Sequence, residues 1–321
     1  MLQPRRSDNL LRKGLKLSHL RLLAAMADVE QLTQAAAAIG ISQPAASRLV
    51  AEIERIIGAP VHERTGRGVG LTAMGRALAL RAQRVRLELD DAARDLTEIA
   101  MGGGGLVRIG SVTGPALDRV LPALHAERLR HPNVTVEVTV SPSDTLCEQL
   151  SAGRLDFAIG RLPEGPQSEG PQSEPLTFLP MAGEPIALIA RRGHPLLRHP
   201  QPLTSAQALA YDWVMPGADS LLTRSVTARL QALGLPRPTQ RLLTASFLLT
   251  LAVLQQSDAI AAVSRATALQ FASGDAAAFE LLPLDLAIEV EPFGLITRER
   301  VSLTPASQRL ADMILNAAAQ V

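Results

Sequence analysis

Cysteine and aromatic residues are almost missing from this chain of 321 residues. Its one cysteine, Cys147, cannot form a disulfide within the chain, which excludes a redox switch built on a cysteine pair and favours a reducing cytoplasm. Tryptophan, tyrosine and phenylalanine together make up 2% of the residues, so we do not expect an aromatic platform that stacks on bases.

Long apolar runs are missing as well. The N-terminus is basic but never becomes the continuous apolar segment of a signal peptide. The longest apolar stretch, 242–254, is interrupted by Thr and Ser and is too short to span a bilayer, so we expect no membrane contact. At 47% hydrophobic and 20% charged, the chain is nonetheless apolar enough to fold into two or three domains.

Net charge is also small, at +1, but it is unevenly distributed. Residues 1–86 carry 14 basic and 6 acidic side chains, whereas residues 87–321 carry 18 basic and 25 acidic ones. A basic head on an acidic body indicates that the N-terminal part binds nucleic acid or another polyanion, while the rest has a different task.

Two short helices joined by a tight turn are predicted within residues 33–57. Thr33 is expected to cap the first helix and Gly40 to end it. Ser42 is expected to cap the second helix, with Pro44 in the first turn, where a missing N–H is harmless. Apolar residues at spacings of three and four then define the buried side of the second helix: Ala46, Val50, Ile53 and Ile57.

The same periodicity turns Gln43, Ser47 and Arg48 outward at the start of the second helix. In a helix-turn-helix, the first turns of the second helix lie at base edges in the major groove. Glutamine suits adenine and arginine suits guanine, while Ser47 can reach a base or a phosphate. Any Ala-rich helix pair gives this periodicity, so the spacing alone leaves both interpretations open.

The next segment, 61–71, has three glycines and two arginines, a composition typical of a hairpin wing. Arg64 and Arg67 are expected against phosphates or in the adjacent minor groove, and the alternative is that both are merely solvated.

One long helix is predicted over residues 73–100, which lack proline and contain a single glycine. Its apolar residues form a heptad seam: Leu78, Ala82, Val85, Leu89, Ala92, Leu96 and Ile99. Such a stripe needs a partner, so we expect the helix to dimerise; packing on its own domain is the alternative. Four consecutive glycines, 102–105, cannot continue the helix and predict a flexible joint.

After the glycines, β-like runs alternate with helical ones, the rhythm of an α/β fold with a parallel sheet. The expected strands are 106–112, 134–140, 156–160, 185–190, 213–215, 240–244, 259–263 and 289–297. The expected helices are 115–130, 143–152, 221–233, 246–256, 265–273 and 305–319. The segment 163–175 carries a near-duplicate GPQSE and is expected to be an exposed loop.

A specific resemblance becomes visible along the N-terminal segment. The pattern T-x-A-A-x-x-I-x-x-S-Q-P-A-x-S runs from Thr33 to Ser47, and I-E, I-G and L-T-x-x-G follow at 53–54, 57–58 and 71–75. In this fixed register the sequence closely resembles the LysR-type transcriptional regulators. It departs from the family pattern at Gln31, where a small Ser is usual, at His62, where Phe is usual, and in residues 1–16, which precede the first helix.

The resemblance covers almost the whole chain and implies its architecture. An N-terminal all-α winged helix-turn-helix and a long linker helix precede a C-terminal α/β domain of two subdomains, similar to type 2 periplasmic binding proteins. The expected boundaries are 1–72 for the DNA-binding domain, 73–101 for the linker helix that dimerises, 102–105 for the glycine hinge, 106–181 with 283–321 for effector subdomain I, and 182–282 for effector subdomain II. The DNA-binding candidates are Thr33, Ser42, Gln43, Pro44, Ser47, Arg48, Arg64 and Arg67.

A two-lobed α/β domain binds its ligand in the crevice between lobes, at strand C-termini and helix N-termini. By position, the resemblance implies these effector-binding residues: Thr113, Gly114, Ser143, Arg161, Pro216, Ser246 and Phe247. Arg161 can fork a carboxylate, although an interlobe ion pair is the alternative for it. Short strings at 160–162, 193–197 and 66–68 are similar to the subgroup of protocatechuate-pathway and galactose-binding-protein regulators, which favours an organic acid, an aromatic acid or a sugar as effector.

Catalytic and metal-binding signals are weak. His194 and His199 lack Cys or carboxylate companions at metal spacing, Cys147 lies on an apolar helix side, and nucleotide-binding or hydrolase motifs do not appear. We expect no cofactor, no metal and no catalysis. The alternative is a solute-binding or enzymatic α/β domain with a basic appendage.

The expected function is therefore that of a cytoplasmic, sequence-specific transcriptional regulator that responds to a small molecule. The family resemblance implies three partners in addition to the effector: double-stranded promoter DNA, further copies of the chain in a homodimer that assembles to a homotetramer, and RNA polymerase.

Overall fold

A computed structural model describes residues 9–318, apart from positions 30, 66–67, 101–103, 164–174, 200–201, 275–276, 285 and 300. The chain divides into two compact units, one ending at Gly102 and the other comprising Gly103–Pro163 and Pro175–Val321. Two glycines of the expected hinge, Gly102 and Gly103, lie outside the described residues, as does most of the loop expected at 163–175.

The first unit is helical with one small hairpin. Its elements are α1 (Asn9–Arg12), α2 (Leu17–Asp28), α3 (Leu32–Ala38), α4 (Gln43–Ile57), β1 (His62–Thr65), β2 (Gly68–Leu71) and α5 (Ala73–Ala100). The core between them is made of small and aliphatic side chains, with Leu22, Leu23 and Ile53 fully buried. Strands β1 and β2 pair antiparallel from His62 opposite Leu71 to Thr65 opposite Gly68, which confirms the expected hairpin.

Capping of α3 and α4 differs from the sequence-based expectation. Helix α3 begins at Leu32, and Gln31 occupies the N-cap because its carbonyl already accepts from the N–H groups of Gln34 and Ala35. Thr33 is therefore a residue of the first turn and not the cap. Ser42 does hold the N-cap position of α4, but its side chain makes no capping hydrogen bond.

The buried side of α4 also shifts at its end. Ala46, Val50 and Ile53 are buried as expected, but Ile56 is the next fully buried residue and Ile57 is only half-buried. Helix α4 ends at Gly58, whose φ of 79° lies in the left-handed region that glycine adopts without strain.

The second unit is built on one mixed sheet. Its strands are β3 (Gly105–Ser111), β4 (Val134–Val140), β5 (Phe157–Gly160), β6 (Leu176–Arg191), β7 (Asp212–Met215), β8 (Thr239–Leu243), β9 (Ile260–Ser264), β10 (Phe279–Leu281) and β11 (Glu289–Arg298). Their order is β4-β3-β5-β11-β6-β9-β7-β8, and β10 pairs with β6. Gly105, expected in the hinge, instead starts β3 and pairs with Val134.

Helices cover this sheet and supply most of its apolar partners. They are α6 (Thr113–Pro115), a π-helical turn at Ala116–Val120, α7 (Leu121–Arg130), α8 (Ser143–Ser151), α9 (Ser205–Leu209), α10 (Leu221–Ala232), α11 (Phe247–Gln256), α12 (Arg265–Ala272) and α13 (Pro305–Ala318), with a 3-10 turn at Pro195–Arg198. Separate clusters fill the two halves: Ile109, Phe157 and Leu310 belong to one, Trp213 and Ile260 to the other.

Strands β6 and β11 join the two halves of the sheet. They pair antiparallel from Leu176 opposite Arg298 to Pro185 opposite Glu289, and β6 then continues along β9 from Ile186. The sequence predicted a strand only at 185–190, because a proline and a glycine, Pro180 and Gly183, interrupt the segment 176–184 that precedes it. The expected subdomain boundary at 181/182 thus falls inside one continuous strand.

Gly294 of β11 gives a test of how tightly this pair of strands is packed. A Cβ at Gly294 would overlap the carbonyl oxygen of Leu179 on β6, whereas a Cβ at Gly183 of β6 would meet open space. We expect Gly294→Ala to lower the free energy of unfolding of the second unit by about 1–3 kcal/mol through overpacking. Gly183→Ala should be neutral or slightly stabilising, and equal urea midpoints for the two variants would contradict the packing account.

Candidate nucleic-acid interface and ligand cavity

The N-terminal half of α4 presents a polar, solvent-exposed face. Its exposed residues are Ser42, Gln43, Pro44, Ser47 and Arg48. The sequence predicted this exposure for Gln43, Ser47 and Arg48. The Nε2 of Gln43 donates to the Oγ of Ser47 over 3.1 Å, which places these two side chains one turn apart on the same face. Hydrogen-bonding groups on exposed first turns are what a recognition helix needs to meet base edges.

The other DNA-binding candidates lie on neighbouring elements. Thr33 is exposed on α3, and its Oγ1 lies 3.5 Å from the Oε1 of Gln31. Arg64 belongs to β1, where its backbone is opposite Val69. Arg67 lies outside the described residues. Their contacts with DNA therefore stay predictions.

One histidine ties α4 to α2. His19 is fully buried, and its Nδ1 accepts from the backbone N–H of Lys16 over 3.1 Å. The proton of the neutral ring must then be on Nε2, which lies 3.0 Å from the Oε2 of Glu52 on α4. This bond joins α4 to α2 beside their shared apolar core.

A second glutamate ties α4 to the hairpin. The Oε1 of Glu54 accepts from the backbone N–H of Val61 over 3.0 Å and lies 2.9 Å from the Nδ1 of His62. His62 stands where the resembling family usually has Phe, and its half-buried ring uses this carboxylate as a polar partner. The departure is thus accommodated without exposing the underlying core, where Val61 is fully buried.

Glu54→Ala should loosen the hairpin. The N–H of Val61 would lose its acceptor in a partly buried position, a loss of about 1–3 kcal/mol. We expect faster amide hydrogen exchange across residues 61–71 and a lower melting temperature of the DNA-binding domain. Glu63→Ala is the matched control, because Glu63 is an exposed carboxylate on the same strand. Equal exchange in the two variants would refute a structural role for Glu54.

A cavity of about 200 Å³ lies in the second unit, where strands from both halves of the sheet end. Residues that follow β3, β5, β7 and β8 reach it, together with the last residue of β9. Most of its wall is apolar, and hydroxyl groups interrupt that wall at Thr113, Thr244, Thr250, Ser264 and Thr267. This position at strand C-termini is the one that the sequence predicted for the effector.

Arg161 and Glu184 are the two ionisable residues that line this cavity. The Nη2 of Arg161 lies 2.5 Å from the Oε2 of Glu184 on β6, and its Nε donates to the carbonyl oxygen of Glu291 on β11 over 2.6 Å. Both side chains are nearly buried. Arg161 therefore bonds to both strands that join the halves of the sheet, and the ion pair weighed as its alternative is present in the structure.

Five of the seven effector candidates line the cavity: Thr113, Gly114, Arg161, Pro216 and Phe247. Ser143 and Ser246 are not among the residues that line it, and their contact with an effector stays a prediction. The Oγ of Ser143 accepts from the backbone N–H of Arg161 over 3.1 Å. The Oγ of Ser246 accepts from the N–H of Leu249 and caps α11. Both hydroxyl oxygens therefore accept hydrogen bonds from backbone N–H groups of the protein.

Glu184 is the main residue that the sequence analysis missed. It lies in the segment 176–184, between the expected loop and the expected strand, for which the sequence predicted no element. The available signal was a lone acidic residue inside an apolar segment, TFLPMAGEPIALIA, where burial of a charge requires a partner.

Cys147 lies close to this site but outside its lining. Its Sγ is 3.7 Å from the carbonyl oxygen of Arg161, and burial, with a smaller contribution from the charge of Asp144, raises the pKa of the thiol to about 11. The thiol is therefore protonated near neutral pH and packs as a small apolar group, as expected.

Comparison with known proteins agrees with both parts of the molecule. Residues 17–76 match the family described as bacterial regulatory helix-turn-helix protein, lysR family, and residues 100–319 match the LysR substrate binding domain. A protein of Rhizobium radiobacter named HTH-type transcriptional regulator GbpR is 38% identical over 81% of this chain and 85% of its own length. Its namesake in Azospirillum brasilense is 33% identical over 93% of this chain and 85% of its own.

A solved structure shares the fold. Full-length CbnR complexed with its target DNA superimposes with a TM-score of 0.51 at 21% identity, over 95% of this chain and 100% of that one. Within the described residues, no helix combines the length and apolar character needed to cross a membrane.

A winged helix-turn-helix followed by a two-part α/β domain with a ligand cavity defines an effector-binding regulator of transcription. The chain belongs to the LysR family of transcriptional regulators. Its relatives are regulators and not enzymes, so the alternative of an enzymatic or solute-binding domain with a basic appendage is set aside.

Proposed function

We propose that this regulator works in the cytoplasm as a homodimer that assembles to a homotetramer on promoter DNA, and that a small molecule in the cavity changes how it binds the promoter and acts on RNA polymerase. The range of effectors expected from the sequence is an organic acid, an aromatic acid or a sugar. The observation that carries the proposal is the position of Arg161, which lines the cavity and bonds to both β6 and β11.

A ligand at Arg161 would act on the two strands that connect the subdomains. Any hydrogen bond that it makes competes with, or adds to, the bonds that hold Glu184 and Glu291. A change in the angle between the subdomains would follow only if the ligand has different affinities for the two arrangements. The proposed effector contacts are those of Thr113, Gly114, Arg161, Pro216 and Phe247.

DNA recognition is assigned to the exposed start of α4. Gln43, Ser47 and Arg48 are proposed to contact base edges. Thr33, Ser42 and Pro44 are proposed to lie nearer the sugar-phosphate backbone of the DNA. On the wing, Arg64 and Arg67 are proposed to contact phosphates or the minor groove. The support is the exposure of this face and the two glutamate contacts that hold α4 in place.

Arg48→Ala should weaken specific binding selectively. We expect a loss of about 1–3 kcal/mol on a duplex selected from a random pool and little change on a scrambled duplex, because a base contact carries the discrimination. Fluorescence anisotropy at fixed salt measures both affinities. Arg55→Ala is the control, an exposed arginine in the last turn of the same helix. An equal loss on both duplexes would mean that Arg48 contacts only phosphates.

Helix α5 is proposed to form the dimer contact. The first part of its seam packs on its own domain, where Ala82 is buried and Leu78 is partly buried. Further along, Val85, Leu89, Leu96 and Ile99 are 37%, 48%, 69% and 72% exposed. The first part of the helix thus packs on its own domain, and the exposed apolar stripe beyond it supports pairing with a second copy.

The double variant Val85→Glu, Leu89→Glu should dissociate the dimer, because it would place four like charges along a paired seam. Sedimentation velocity measures the expected shift to monomer, and circular dichroism checks that the helix persists. Thr97→Glu adds charge on an exposed position of α5 away from the seam and should leave the assembly unchanged. A double variant that sediments like the unsubstituted protein would refute the seam.

A further inference from the structure

The carboxylate of Glu184 is paired with Arg161, the residue proposed above to contact the effector. Its Oε2 contacts the Nη2 of Arg161, and its Oε1 lies against Gly114, where an added Cβ would overlap it. The side chain is 13% exposed. The Nη2 of Arg161 therefore already holds a carboxylate of the protein and its Nε a backbone carbonyl, so a ligand carboxylate that bound this guanidinium would lie beside Glu184.

Charge in the cavity is balanced before any ligand enters. Of the residues that line it, Arg161 and Glu184 are the ionisable ones, and they form one ion pair. An anionic ligand that reached Arg161 would lie within a few ångströms of Glu184 in a nearly buried site, where repulsion between like charges is weakly screened. A neutral ligand avoids this repulsion.

Hydrogen-bonding groups remain for a neutral ligand. The carboxylate of Glu184 can accept from a ligand hydroxyl, and the Nη1 of Arg161 makes no hydrogen bond within the described residues and can donate. The hydroxyl groups of Thr113 and Thr244 also line the cavity, with the ring of Phe247 as an apolar wall. A volume of about 200 Å³ suits a molecule of one ring.

We propose that Glu184 determines effector specificity: it excludes small carboxylates from the cavity and selects a neutral molecule rich in hydroxyl groups, of which a monosaccharide is the class that fits. This inference rests on the proposed function, since it assigns a ligand class to the same cavity. It narrows the effector range expected from the sequence, and it turns Arg161 from a carboxylate fork into a donor that Glu184 keeps neutralised.

Matched pairs of probes test the inference on the full-length protein. D-glucose, D-galactose and D-mannose are each compared with the corresponding uronic acid, which differs by a carboxylate in place of a hydroxymethyl group, and benzoate is added as an aromatic acid. Isothermal titration and thermal shift report binding. We expect at least one sugar to bind and its uronate to bind about tenfold more weakly or worse, because the added charge faces Glu184.

Glu184→Ala should reverse this preference. Removal of the carboxylate leaves Arg161 unpaired, so a uronate or benzoate should gain about tenfold or more in affinity over its value for the unsubstituted protein, while the sugar loses affinity. Glu184→Gln removes the charge but keeps an acceptor, and it serves if the alanine variant does not fold. Glu137→Ala is the control, since it removes a carboxylate that is 63% exposed on β4.

The outcomes separate the inference from the proposed function. Binding of an acid to the unsubstituted protein more tightly than its matched sugar, or unchanged acid affinity in both Glu184 variants, would overturn the role of Glu184. If the acids gain affinity in the variants but no sugar binds the unsubstituted protein, exclusion of acids stands and the choice of monosaccharides fails. A sugar that binds as expected but leaves affinity for the selected duplex unchanged would refute effector control and leave the specificity intact.

Discussion

The antiparallel pairing of β6 with β11 is the constraint on which the rest of the second unit depends. These strands belong to both halves of the sheet, and their mutual register runs from Leu176 opposite Arg298 to Pro185 opposite Glu289. Neither strand can bend or slide alone without loss of ladder hydrogen bonds. Arg161 bonds to a side chain on one strand and to the backbone of the other, so its two hydrogen bonds depend on the distance between the strands.

The DNA-binding unit meets a comparable demand by different means. Helix α4 packs through the buried side chains of Ala46, Val50 and Ile53, and two glutamates near its C-terminal end add hydrogen bonds, Glu52 toward α2 and Glu54 toward the hairpin. These glutamate contacts lie away from the exposed start of the helix. His62 can stand where the resembling family usually has Phe because Glu54 gives its half-buried ring a polar partner.

Elements with regularly spaced apolar residues, or with a glycine at one end, could be predicted from the sequence because local residue pattern determines them. Helices α4 and α5, the hairpin and eight strands of the second unit have such signals, as do α7, α8 and α10 to α13. The short elements α9 and β10 were not predicted. The early start of β6 was missed because Pro180, Gly183 and Pro185 resemble a loop, whereas pairing with β11 holds them in a strand. Glu184 could not be assigned for a related reason, since its partner Arg161 is distant in sequence and tertiary pairing alone joins them.

Gly114 carries a consequence for how this cavity can change over evolutionary time. A side chain at that position would occupy the space of the Glu184 carboxylate and press on the hydroxyl of Ser264. A larger residue at 114 therefore requires the Glu184 carboxylate and the Ser264 hydroxyl to move, or a different residue at 184. Among regulators descended from a common ancestor, a lineage that changes its ligand should show paired substitutions at these two positions. An alignment of related sequences would show them as covariation.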